Sequence, residues 1–235
     1  FSGGTIERPA FQRLLVDVVH RWRRLNGIAA GDRAGSRAMS APARPVVVKF
    51  GSPVDIVGVI PSMLGFHPAQ SLVVMCLRGP RKRTGLTMRL DLVDPQHDCS
   101  FATDTVRRVA ADKASAAIVV CYTDAPAGRD RLPRASLVDE VGGQLLRRGI
   151  ELAEALLVRD GRWFSYTCSL PCCPPDGTVI PAVAEGVVGQ LEAERVLSGR
   201  TVLPSRDDLE ASVRGPVALR RIALAQRVGE HRRTH

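Results

Sequence analysis

The run Ser71-Leu72-Val73-Val74-Met75-Cys76-Leu77 constrains the fold of this chain most. It is apolar at almost every position and shows no alternation, which suits a buried strand. Such a strand needs partners beside it and layers above it. Leu86, Met88, Leu90 and Leu92 alternate with Thr87, Arg89 and Asp91, giving a second strand with one apolar and one polar face. Residues 116–121 read as a third strand, and residues 103–113 as a helix before it. Leu137, Val141, Leu145 and Leu146 mark another helix, stopped by Gly149. Residues 152–159 and 162–167 are strand-like and flank Asp160-Gly161, a strong short-range hairpin signal. Residues 183–197 are helical up to Gly199, and Ser205 caps a further helix with Asp208 three residues on. The expected class is α/β: a mixed β-sheet of about five strands with flanking helices and a helical C-terminal segment.

Ahead of the first buried strand, Ser52 as N-cap, Pro53 and Asp55 open a short helix that Pro61 and Gly65 end or kink. Further upstream, Phe11, Leu14, Leu15, Val18, Trp22 and Leu25 recur at helical spacing, so residues 11–25 are expected to form an amphipathic helix. Residues 28–45 have a linker composition, and Met39 within them reads as a natural start with 1–38 as upstream material. The expected organisation is a helix and flexible linker over 1–45, one α/β domain over 46–213, and a basic helical tail over 214–235.

Charge and composition narrow the function classes. The chain has 235 residues, 45% of them hydrophobic and 24% charged, as in soluble globular proteins. Its formal charge of +9 comes from the two ends, while the body between them is close to neutral. A nucleic-acid-binding fold would carry its basic excess on the folded face that meets phosphate, so specific nucleic-acid binding is not expected. No apolar run reaches transmembrane length, and charge interrupts the N-terminal stretch where a signal peptide would be apolar. Six unevenly placed cysteines do not make a secreted disulfide framework, and the expected setting is cytoplasmic. Phosphate-loop, dinucleotide-fingerprint, nucleophile-elbow and His-Glu-x-x-His motifs are absent from the sequence.

Three features carry chemistry. His67 lies in Gly65-Phe66-His67-Pro68, held by a flexible residue before it and a stiff one after it. It could serve as general base, ligand donor or metal ligand, or it could bond a carbonyl and lock the loop. Asp91 and Asp124 each end a strand, where ligands gather in α/β sheets, and could hold a divalent cation, though Asp124 also fits an ordinary turn. Cys168, Cys172 and Cys173 offer three thiols within six residues, directly after Trp163 and Tyr166. Packed structural thiols, a zinc site, a disulfide or redox pair and a nucleophile all remain open for them. Adjacent cysteines do not easily face one ion, and His67 or Cys99 could complete a ligand set only through folding. By strand alternation Trp163 and Tyr166 point to opposite faces.

Four blocks together resemble the actinobacterial domain of unknown function 4192 family. They are Leu64-Gly65-Phe66-His67-Pro68 running on to Ser71-Leu72-Val73-Val74, the segment from Asp160-Gly161-Arg162-Trp163 to Tyr166, Cys172-Cys173-Pro174-Pro175-Asp176-Gly177-Thr178, and Leu203-Pro204-Ser205-Arg206. The resemblance spans roughly residues 50–213 and implies an intracellular setting, but no activity and no catalytic residues. Two functional expectations follow from the residues themselves. One is an enzyme or small-ligand binder whose single site joins His67 and Asp91 as catalytic groups, Arg89, Trp163 and Tyr166 as ligand contacts, and the three cysteines, with zinc as the candidate metal. The other is a non-catalytic interaction module that binds a protein partner or a second copy of itself.

Overall fold

The computed structural model describes residues 14–17, 47–50, 52–126, 131–182, 186–197, 199 and 201–214. Helix α1 (Pro53–Leu64) begins where the Asp55 carboxylate accepts the Ser52 backbone N–H at 2.9 Å. It continues through Pro61 and stops at Gly65, whose φ of 84° is the left-handed cap that glycine adopts without strain. Strand β3 (Ser71–Arg78) follows, then β4 (Arg83–Asp91). Helix α2 (Asp98–Ala111) starts earlier than its apolar period suggests, because a single 3₁₀ turn at Pro95–His97 leads into it. Strand β5 (Ala116–Tyr122), helix α3 (Ala135–Arg147) and strand β6 (Glu151–Arg159) form a parallel crossover unit. The tight turn at Asp160 and Gly161 has positive φ at both residues, 49° and 67°, the geometry that matches strand twist. It returns the chain as β7 (Arg162–Ser165). Strand β8 (Thr178–Val179) and helices α4 (Gly186–Leu197) and α5 (Arg206–Val213) complete the described chain.

The class is α/β, with a mixed six-stranded sheet in the order β4-β3-β5-β6-β7-β8 and five helices among the described residues. Only the β5–β6 pair is parallel within that sheet. The sixth strand is the addition to the expected five. It is two residues long and lies in the Pro-rich crossing, held by pairing of Trp163 with Thr178 rather than by any apolar period of its own. At the other end of the chain, Leu14–Asp17 is a strand, β1, paired antiparallel with β2 (Val47–Phe50). This corrects the expected helix at those four residues: Leu-Leu-Val suits a pleated strand once a partner exists. The remainder of that helix, the linker and all of the expected tail over 214–235 except Arg214 lie outside the described residues.

Both faces of the sheet are covered. On one face Val73, Met75, Ile118, Val120, Leu156 and Trp163 pack under Ile56, Val57, Val59 and Ile60 of α1. On the other, Leu72, Val74, Cys76, Val119, Cys121 and Leu157 meet Val106 of α2 and Leu137, Val141 and Leu145 of α3. Successive residues of β3 and β5 therefore alternate between two cores, which is why neither strand shows a polar face. Each such Leu or Ile contributes about 1.5–3 kcal/mol on full burial.

Candidate functional site

Strand β7 and the loop that leaves it build the thiol cluster. Tyr166 donates its backbone N–H to Ala155 at 2.9 Å, so the chain stays on the sheet edge one residue beyond β7. The Ser165 hydroxyl then accepts the backbone N–H of Cys168 at 3.2 Å, and a turn closes where Cys173 donates to the Leu170 carbonyl at 2.8 Å. Strand β8 pins the far end against β7, and Arg162 Nη1 donates to the Gly177 carbonyl at 3.1 Å. Gly177 has a φ of 70°, and a Cβ there would lie 2.6 Å from the Phe164 ring. The loop is thus fixed at both ends and has room for glycine alone at its exit.

This turn overcomes the difficulty of adjacent cysteines facing one ion. The ligand sulfurs of Cys168, Cys172 and Cys173 all lie within 4.8 Å of one another, and Cys168 Sγ is 3.8 Å from Cys172 Sγ. The cluster could hold a metal ion. It is the single such group of three or more His, Cys, Asp or Glu donors among the described residues. Cys99 and His67 are not in it: Cys99 is exposed on α2, which packs on the opposite face of the sheet. Cys76 and Cys121 are buried in the second core. Burial pushes the Cys76 and Cys121 thiols up to about 11, with Arg78 partly offsetting it at Cys76 and Tyr166 at Cys121, so these two are core residues and not reactive ones.

His67, Arg89 and Asp91 meet elsewhere, in a cavity of about 370 Å³ that Phe66, Arg206 and Glu210 also line. The chain at Leu203 adds itself to the Gly65–His67 loop as a parallel bridge: His67 donates its backbone N–H to the Leu203 carbonyl at 3.0 Å, and Leu203 donates to Gly65 at 2.8 Å. Arg89 sits 5.9 Å from the centroid of the Phe66 ring, donates to the Ala69 carbonyl at 3.2 Å and pairs with Asp91 at 2.7 Å. Arg206 reaches Asp91 from the far side at 2.8 Å. Burial raises the Asp91 carboxyl, but the hydrogen bond and charge of Arg89, joined by Arg206, outweigh it and hold the group below the usual carboxylate range. Asp124 takes a different partner, the Gln70 amide at 3.4 Å. The arrangement clamps the C-terminal arm to the edge of the sheet.

The expected single site therefore divides in two. Strand β4, carrying Arg89 and Asp91, is at one edge, and β3, β5 and β6 stand between it and β7. Four strand spacings of about 4.8 Å put roughly 19 Å between them. Trp163 is a core residue, 6% exposed, in the cluster under α1. Tyr166 points to the other face, as alternation requires, and donates its hydroxyl to the Pro133 carbonyl at 2.6 Å. It lines a groove of about 280 Å³ with Cys168, Ser165, Thr167, Leu132 and Ala135, across which Arg131 pairs with Asp139. Sequence reasoning missed Glu154, a carboxylate 4% exposed on β6 beside this loop. Its signal was an acid standing alone in the apolar stretch Leu152-Ala153-Glu154-Ala155-Leu156-Leu157.

Four separated blocks of sequence thus meet on one α/β frame as two side-chain clusters. The family model DUF4192, described as a domain of unknown function, matches residues 53–235. The chain belongs to the DUF4192 family. The match begins with α1 and runs past Val213 to the last residue, beyond the extent of the resemblance in the four blocks. No curated protein and no solved structure matches this DUF4192 chain. Among the described residues no helix is long and apolar enough to cross a membrane.

Proposed function

We propose that the loop 166–177 of this DUF4192 protein is a zinc-binding centre, with Cys168, Cys172 and Cys173 as thiolate ligands and a fourth position open to a small ligand. The observation that carries the reading is the sulfur spacing. A tetrahedral zinc with Zn–S bonds of about 2.3 Å requires its sulfurs about 3.8 Å apart. Cys168 and Cys172 stand at 3.8 Å already, with Cys173 beside them. Three thiolates around one Zn²⁺ leave a net negative charge, which works against acidifying a bound water as nitrogen-ligated zinc does. The centre accordingly holds a ligand or the loop itself rather than performing hydrolysis. Cys168 lines the Tyr166 groove, which supports ligand access from that side.

The reading takes residues 46–213 as one α/β domain, with 1–45 and 214–235 as appendages, in a reducing actinobacterial cytoplasm where the thiols stay available. Elemental analysis of protein purified without chelators tests it. About one zinc per chain is expected, falling to background in Cys172→Ser. Reduced wild-type protein without metal overturns the reading. A second reading, an interaction module, draws on the exposed end of α4, where Val196 and Leu197 are 64% and 88% exposed. It requires self-association or a partner, and light scattering that gives a monomer with no copurified protein counts against it.

A further inference from the structure

The pairing of β5 with β6 shifts register once: Ala117 faces Leu152, but Ile118 faces Glu154, so Ala153 is an extra residue in β6. Bulges of this kind re-aim a side chain and occur often beside functional sites. Here the shift leaves Ala153, Leu156 and Val158 on the face that carries the thiol loop, and Glu154 is buried next to Ala155. A carboxylate out of water is costly unless hydrogen bonds compensate it. Glu154 Oε1 accepts the Ala155 backbone N–H at 3.1 Å and the hydroxyls of Ser165 and Thr167, each at 3.4 Å. The Ser165 hydroxyl in turn accepts the backbone N–H groups of Thr167 at 3.3 Å and Cys168 at 3.2 Å. A chain of hydrogen bonds therefore runs from a buried strand residue to the backbone of the first cysteine of the cluster.

From this geometry we infer that Glu154 is the positioning residue of the thiol centre. Acting through Ser165 and Thr167, it holds Cys168 in place for a divalent, thiophilic cation. The inference rests on the metal reading above. Groups that orient metal ligands are worth about 10–100-fold in affinity when removed. The charge of Glu154 is not what the role needs; its acceptor oxygen is.

Titration with Co²⁺, whose thiolate-to-metal absorption reports ligand geometry, separates the alternatives. Wild type is compared with Glu154→Ala, Glu154→Gln and Ser165→Ala, and circular dichroism of each variant checks the fold. The expected result is that Glu154→Ala and Ser165→Ala each bind Co²⁺ about 10–100-fold more weakly, with an altered absorption band. Glu154→Gln keeps a carbonyl acceptor and recovers most of the affinity and the wild-type band. A folded Glu154→Ala with wild-type affinity and spectrum overturns the inference. If that variant does not fold, an unchanged Ser165→Ala does the same. A Gln variant as weak as Ala overturns the hydrogen-bond account. Wild-type protein with no thiolate–cobalt band overturns the metal reading, and this inference with it.

Discussion

Burial separates Cys76 and Cys121 from Cys99 and Cys172. Cys76 and Cys121 are 0% exposed in the second core, where burial raises their thiols to about 11. Cys172 is part-exposed in a turn, and Cys99 is exposed on a helix. A thiol reagent at neutral pH should therefore modify Cys99 and Cys172 first and reach Cys76 and Cys121 only on unfolding. Added zinc should protect Cys172 and leave Cys99 unprotected, as peptide mapping would read. A different residue-scale effect concerns Tyr122, whose hydroxyl is buried and has no hydrogen-bond partner among the described residues. Burial alone drives its phenol strongly upward. Removing an unsatisfied buried group relieves its desolvation cost, so Tyr122→Phe should gain about 1 kcal/mol in urea unfolding. A loss of similar size would mean that the hydroxyl has a role the packing does not show.

At the scale of elements, the loop 166–177 depends on its exit. Gly177→Ala puts a Cβ against the Phe164 ring at a φ that side chains avoid. The variant should lose about 1–3 kcal/mol of stability, and it should bind zinc less tightly because β8 no longer pins the cysteines. The C-terminal arm is tied down differently. With the Asp91 pKa lowered in the fold, its contribution is whole above the unfolded value of about 3.9 and is lost as pH falls through the folded value. Asp91 is 65% exposed at its side chain, so the link with Arg206 is worth less than about 1 kcal/mol. Asp91→Asn should hardly move global unfolding, yet should speed hydrogen exchange at the Leu203 amide. Equal exchange in both proteins would show that the backbone bridge to Gly65 holds the arm unaided. Local patterns also explain which elements were legible in the sequence. The apolar runs of β3 and β5 and the Asp160-Gly161 turn announce themselves within a few residues. By contrast, β8 and Leu14–Asp17 exist only through distant partners, β7 and β2.

For the molecule as a whole, strand order decides what local patterns cannot. His67, Trp163 and the cysteines stood out as residue types, but nothing within the blocks reveals that three strands separate β4 from β7. The expected joint site divides for that reason. Glu154 belongs to no motif, and the register shift that accompanies its burial is a property of two strands together. Zinc bound at the proposed centre would link metal to stability: a chelator should lower the melting temperature, and excess zinc should raise it in a concentration-dependent way. X-ray absorption at the zinc edge reads the ligands of the proposed centre directly. The expected first shell is three sulfurs at about 2.3 Å and one lighter ligand. A shell of oxygen and nitrogen alone, or unchanged sulfur ligation in Cys168→Ser, would contradict it.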